Sequence, residues 1–140
     1  MSLYFIGLNI DWGDSSATLF FNSKIICHVE EERFVRIKKA PGLFPTNALI
    51  YCINQIPNKI KDLSKIIIGL DLDKIKKELT IYMNSEAKLH TNIELFESLR
   101  SQKKWEQRIE NKDPTNVKRQ IEKAITENGF SNCKIPKIIW

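Results

Sequence analysis

The stretch that decides the fold is LYFIGLNIDWGDSSATLFFNSKIICHVE, residues 3–30. Leu3 to Asn9 is an almost continuous apolar run with aromatic and β-preferring residues, which predicts a strand buried on both faces. DWGDSS follows, a turn-rich stretch around Gly13 whose polar neighbours can satisfy their own backbone. Ala17 to Phe21 predicts a second strand, Asn22-Ser23 a two-residue hairpin turn and Ile25 to Val29 a third strand, with Glu30 onward leaving the sheet. Three strands in thirty residues, joined by short turns, make an antiparallel meander.

Beyond residue 30 the pattern changes. Ala40 to Pro45 is a loop. Thr46 is a good N-cap for a helix whose Ala48, Leu49, Cys52 and Ile53 repeat at helical spacing and which ends near Asn54 to Pro57. Lys65 to Leu70 is apolar and predicts a central fourth strand parallel to the first. From Asp71 to Asn128 the spacing of Ile75, Leu79, Met83, Leu95, Leu99, Val117, Ile121 and Ile125 is helical. Residues 85–111 are poor in apolar side chains, which predicts a loosely held stretch. Asp113-Pro114-Thr115 starts the last helix and Asn128-Gly129 stops it. Ile135 to Trp140 predicts a fifth strand whose apolar end needs a cover, from within this domain or from another chain.

The expected fold class is therefore α/β: a β-β-β-α-β mixed sheet with a helical insertion before the last strand. At 140 residues and 42% hydrophobic content, the chain suits one core. We read it as a single partial domain over 1–140, with the core in 1–70, the helical insertion in 71–130 and the fifth strand in 135–140.

Charge narrows the function classes. The net charge is +5. Residues 1–70 carry 8 Lys/Arg against 6 Asp/Glu and residues 71–140 carry 14 against 11, so the excess is spread rather than patched. Nucleic-acid binding calls for a clustered basic footprint interleaved with aromatics, and this chain has neither. No segment reaches the roughly 18–20 apolar residues of a membrane span, and the first residues lack a basic n-region, so the expected location is cytoplasmic. Cys27, Cys52 and Cys133 have neither metal-ligand nor redox spacing and read as reduced, buried or half-buried thiols. His28, within a strand, and His90, in a polar helical stretch, also lack ligand spacing.

The β-β-β-α-β order with an acidic turn after the first strand resembles the actin, sugar kinase and heat-shock ATPase superfamily, whose core is ribonuclease H-like. In that fold the turn between the first two strands approaches phosphate, and Gly13, Asp14, Ser15 and Ser16 have suitable chemistry. A narrower resemblance comes from ordered pieces: Gly7-Leu8-Asn9, Asp14-Ser15-Ser16-Ala17, Glu30-Glu31-Glu32-Arg33-Phe34, Arg36-Ile37-Lys38, and Phe44-Pro45 opening the helix that carries Tyr51-Cys52. Together they resemble the amino-terminal signature of O-carbamoyltransferases of the nodulation and antibiotic-tailoring type, closely over residues 3–55 and loosely over 65–71.

That resemblance implies ATP-dependent carbamoyl transfer. One domain makes carbamoyl adenylate, and an actin-like ATPase domain, of which this segment would be a half-lobe, moves the carbamoyl group to a hydroxyl. Arg33, Arg36 and Lys38 would meet the phosphate and carbonyl, with Glu31 and Glu32 holding those cations or standing near the acceptor hydroxyl. The family's metal belongs to an H-x-x-x-H helix that this sequence does not contain, so no metal ligand is assigned here. Two family histidines are replaced: Trp12-Gly13 stands where one precedes the Asp-Ser-Ser step, and Lys39 where the other follows R-x-K. Imidazole is the side chain best poised for proton transfer at neutral pH, so the isolated chain is expected to bind nucleotide or carbamoyl adenylate without turnover. Its partner would be the remainder of the enzyme, or another chain. One alternative is a degenerate stand-alone binding module of the same fold. Another is a ribonuclease H-like nuclease using Asp11, Asp14 and Glu30 with Asp71 and two metals.

Overall fold

A computed structural model describes residues 3–10, 13–86, 103 and 106–140. It divides into two compact units, Met1–Gly69 with Lys118–Trp140, and Leu70–Val117.

The first unit is built on a five-stranded mixed sheet. Its strands are β1 (Tyr4–Asn9), β2 (Ser16–Phe21), β3 (Lys24–Glu30), β4 (Leu63–Ile68) and β5 (Lys137–Ile139), in the order β3-β2-β1-β4-β5. β1 pairs antiparallel with β2 and parallel with β4, β2 pairs antiparallel with β3, and β4 pairs parallel with β5. The meander and the parallel fourth strand follow the sequence reading. Asn22 takes the hairpin turn in the left-handed region at φ 54°, a conformation asparagine tolerates well.

Burial on β1 alternates, and this corrects the expectation of a strand covered on both faces. Ile6 and Leu8 are buried, while Phe5 and Gly7 are half-buried. Ile6 stands beside Leu19, and Leu19 beside Cys27, so one row of side chains crosses three strands. The helix α2 (Thr46–Asn54) packs over these strands and buries Ala48, Leu49, Cys52 and Ile53. Adjacent positions form cross-strand aromatic pairs, Phe5 stacked on Phe20 at 4.8 Å and Tyr4 beside Phe21 at 4.6 Å. An unbroken apolar run on β1 thus hides two different faces: Ile6 and Leu8, with Tyr4, share one, and Phe5, stacked on Phe20, lies on the other.

Two local features were absent from the sequence reading. Glu32–Val35 forms a single helical turn, α1, just beyond the point where the sequence reading has the chain leave the sheet. The N-cap of α2 is Pro45 rather than Thr46, and it offers no side-chain cap. The cap comes from elsewhere in the chain, as described below.

In the second unit, α3 (Leu72–Glu86) begins at Asp71, whose Oδ1 accepts the Lys74 N–H at 3.0 Å. The helix α4 (Pro114–Ile125), whose residues from Lys118 onward belong to the first unit, begins beside Asp113, whose Oδ1 accepts the Thr115 N–H at 2.9 Å and the Asn116 N–H at 3.3 Å. Its end is set by Gly129 at φ 93°, with Asn128 Nδ2 donating to the Ala124 carbonyl at 2.8 Å. Both ends follow the sequence reading. Most of the stretch expected to be loosely held, with Leu95, Leu99 and His90, lies outside the described residues, as do Asp11 and Trp12. No helix among the described residues is long and apolar enough to cross a membrane.

Candidate functional site

The candidate residues come from two places in the sequence: the β1–β2 turn at Gly13–Ser16, and the segment from the end of β3 to the start of α2. The sheet brings them together. Ser16 pairs with Glu30 across β2 and β3, and the Glu31 N–H donates to the Ser15 carbonyl at 2.8 Å. The Asp14 N–H donates to the Lys39 carbonyl at 2.8 Å, and the Ser15 hydroxyl to the Leu43 carbonyl at 2.7 Å. The Lys39 side chain lies over Gly13, where a Cβ would stand 3.7 Å from that of Lys39. Two segments some twenty-five residues apart are thus tied by hydrogen bonds at Ser15 and Asp14 into one loop cluster.

Within the cluster the residues divide by role. Glu31 is 2% exposed. Its carboxylate accepts the backbone N–H of Ala48 at 2.8 Å, that of Asn47 at 3.2 Å and the Asn47 side-chain amide at 2.6 Å. These are the orphan donors of the first turn of α2, so Glu31 is its missing cap. A carboxylate at a helix N-terminus also meets the positive end of the helix dipole. This corrects the placement of Glu31 beside the cations: it is spent on the fold. Ser15, fully buried and bonded to Leu43, is spent in the same way, and Ser16 is also buried.

The cations are at the surface. Arg33 is held by Glu30 at 3.2 Å and lies 3.7 Å from Glu32. Glu32 therefore touches a cation as expected, but its second oxygen accepts the Lys39 N–H at 2.6 Å and pins the loop. Arg36 and Lys38 are exposed and have no ion pair among the described residues. They are the groups best free to meet an anion, with exposed Asp14 and half-buried Gly13 in the neighbouring turn. Exposed Phe34 and Tyr51, with ring centroids 6.0 Å apart, place an aromatic pair on α1 and α2.

The loop is held in an uncommon backbone conformation. Asp14, Arg36, Lys39 and Ala40 all have φ between 40° and 64°, and Gly42 has φ 71°. A non-glycine residue in the left-handed region costs roughly 1–2 kcal/mol. Four in one cluster persist because the Asp14–Lys39, Ser15–Leu43 and Glu32–Lys39 bonds over-determine them. Lys39 enters the sequence reading only as a replaced histidine. In the structure its backbone joins the turn to the loop through both its N–H and its carbonyl, a role that side-chain chemistry gives no sign of.

The remaining sequence candidates lie apart from this cluster. His28 sits across from Thr18, with Nδ1 and the threonine Oγ1 2.7 Å apart, an ordinary cross-strand pair. Among the described residues, no group of three or more His, Cys, Asp or Glu side chains is arranged to hold a metal. Of the nuclease carboxylates, Glu30 is paired with Arg33 and Asp71 caps α3. The thiols of Cys27 and Cys52 lie 3.8 Å apart, a meeting that their spacing of 25 residues gave no reason to expect. An open groove of about 590 Å³ lined by Lys61, Leu63, Cys133 and Lys137 contains none of the candidate residues.

No family model matches the chain. A stretch of 64 residues, 46% of the chain, is 33% identical to an uncharacterized protein of Synechocystis sp. (strain ATCC 27184 / PCC 6803 / Kazusa). That stretch spans about a tenth of the relative's length, and the relative's description assigns it no activity.

Proposed function

We propose that this chain is an amino-terminal part of the transfer domain of an O-carbamoyltransferase, with a ribonuclease H-like, actin-like core. The observation that carries the reading is the convergence of the signature pieces. Asp14-Ser15-Ser16 and Glu30–Lys38 meet through the Asp14–Lys39, Ser15–Glu31 and Ser16–Glu30 contacts. The sheet order β3-β2-β1-β4-β5 supports the core assignment.

The chemistry asks little of the loop beyond anion recognition. Carbamoyl adenylate is a mixed anhydride. A hydroxyl attacks its carbamoyl carbon, the bond to the phosphate oxygen breaks, AMP leaves, and the hydroxyl proton goes to a base. Arg36 and Lys38 would bind the phosphate and stabilise the charge that develops on the leaving group. Arg33, already paired with Glu30, would support the local field rather than bind directly.

A second reading, a degenerate binding module of the same fold, is favoured by Lys39. It stands in the place of a family histidine, and its backbone is engaged on both sides. Both readings predict nucleotide binding, and the second predicts no turnover in any assembly. Titration calorimetry of the chain with AMP or ATP tests what they share. Saturable heat that disappears in the Arg36→Ala/Lys38→Ala double variant supports them. The absence of heat at millimolar nucleotide removes the ligand assignment.

A further inference from the structure

The geometry points to a second site, between β3 and α2: Cys27 and Cys52 form a reversible disulfide pair, oxidised by hydrogen peroxide and reduced by a dithiol. This does not depend on the carbamoyl-transfer reading. Cys27 comes from β3, an edge strand, and is half-buried, whereas Cys52 comes from α2 and is fully buried. Their sulfurs are 3.8 Å apart. A disulfide bond is about 2.05 Å long, so the sulfurs must close by roughly 1.8 Å. The strand has a device for that movement. Leu19 pairs with Cys27 and Phe20 with Ile25, which leaves Ile26 as the extra residue of a bulge directly beside Cys27. A bulge disrupts the ladder locally, and β3 has a neighbour on one side only.

The two thiols have different parts in the reaction. Burial and the neighbouring Cys27 push the Cys52 thiol well above the ordinary thiol range, so it stays protonated at neutral pH. Cys27, the more accessible, reacts first. Its thiolate attacks the peroxide, the O–O bond breaks, and a sulfenic acid and one hydroxide form; the hydroxide takes up the proton that the Cys27 thiol released and becomes water. The Cys52 sulfur then displaces the sulfenic hydroxyl: the S–S bond forms, the S–O bond breaks, and that hydroxide leaves with the Cys52 proton as water. Two thiols and one peroxide become one disulfide and two waters. A dithiol reverses this by two successive exchanges.

The consequence reaches the cationic loop. Glu30 to Lys38 lies wholly between Cys27 and Cys52, so the bond closes a covalent ring around the segment that carries Arg33, Arg36 and Lys38. The Glu31 cap already ties the same segment to α2, and oxidation would add a second, covalent tie.

The test treats the full reduced chain with stoichiometric hydrogen peroxide, then combines thiol counting with non-reducing peptide mapping. The expected result is a fall from three free thiols to one, a mass loss of two hydrogens, and a linked peptide pair containing Cys27 and Cys52. Cys133→Ser should then leave no free thiol, and Cys52→Ala should form no intramolecular bond. Amide exchange over residues 24–30 should slow on oxidation and recover with dithiol. The same oxidation in denaturant should scramble the pairing, so that native selectivity is read without relying on a variant's folding. Predominant links to Cys133, or separate over-oxidation of Cys27 with no Cys27–Cys52 link, would overturn the inference.

Discussion

Carboxylates cap the starts of α2, α3 and α4, and the caps of α4 and α2 work in opposite ways. The start of α4 is capped by Asp113, whose Oδ1 reaches the N–H groups two and three residues ahead. The start of α2 is capped by Glu31, sixteen and seventeen residues back, across the loop that carries the cations. The local cap organises one helix. The distant cap joins the end of β3 to α2 and fixes both ends of the loop between them. One acceptor therefore sets helix start, loop path and the position of Arg36 and Lys38 together, so losing Glu31 should propagate where losing Asp113 should not.

The largest expected effect follows. Glu31→Ala removes the partner of three donors, two of them backbone N–H groups at the helix start, the one of Ala48 fully buried. A buried group left unsatisfied costs about 1–3 kcal/mol, so a loss of about 3 kcal/mol is expected in urea unfolding. Amide exchange should quicken at both α2 and residues 36–40. Protection unchanged in the loop would break the claim that the cap organises it. Ser15→Ala comes next. It leaves the Leu43 carbonyl without its buried donor, and about 1–2 kcal/mol should be lost while α2 stays protected.

The same contrast explains what could be read from the sequence. The spacing of Ala48, Leu49, Cys52 and Ile53, the Asp113 cap and the Asn128-Gly129 stop act within one or two helical turns, so their signals are contiguous. Glu31 is one of three adjacent glutamates, and nothing local distinguishes the one that is buried. The register of β2 and β3 makes the choice, by pairing Ser16 with Glu30 and so sending Glu31 toward α2. The Cys27–Cys52 contact also needs that register. The left-handed residues were invisible for a different reason: Asp14, Arg36, Lys39 and Ala40 are not glycines, so composition carries no sign of a conformation imposed by hydrogen bonds. The candidate site was legible as a set of residue types, and the division between structural and free members was not.

Asp113 sharpens the comparison through pH. Its carboxyl is held below the usual carboxylate range, chiefly by the hydrogen bond from Lys76. The folded state therefore binds this proton less readily than the unfolded chain. The stabilisation is fully present above the ordinary value of 3.8 and fades as pH falls through the lower folded value. Lys76 is 44% exposed, so solvent screening keeps the ion pair's share small. Asp113→Asn keeps a capping oxygen but loses the pair with Lys76 and the negative charge at the helix start, about 1 kcal/mol in all at neutral pH and less at acid pH. A penalty that stays constant down through acid pH would show that the pairing with Lys76 contributes nothing.

The smallest effect is expected at the other end of α4. Gly129 has φ 93° and open space where a Cβ would stand, so Gly129→Ala meets no clash and pays only for the backbone. That cost is about 1 kcal/mol or less, since alanine also stiffens the unfolded chain and recovers part of it. The loss should show in the urea midpoint with an unchanged slope, and nucleotide heats should not move. A change in those heats would mean that a helix stop reaches the Arg36–Lys38 loop, and the distinction between local and distant organisation would then fail at its most local point.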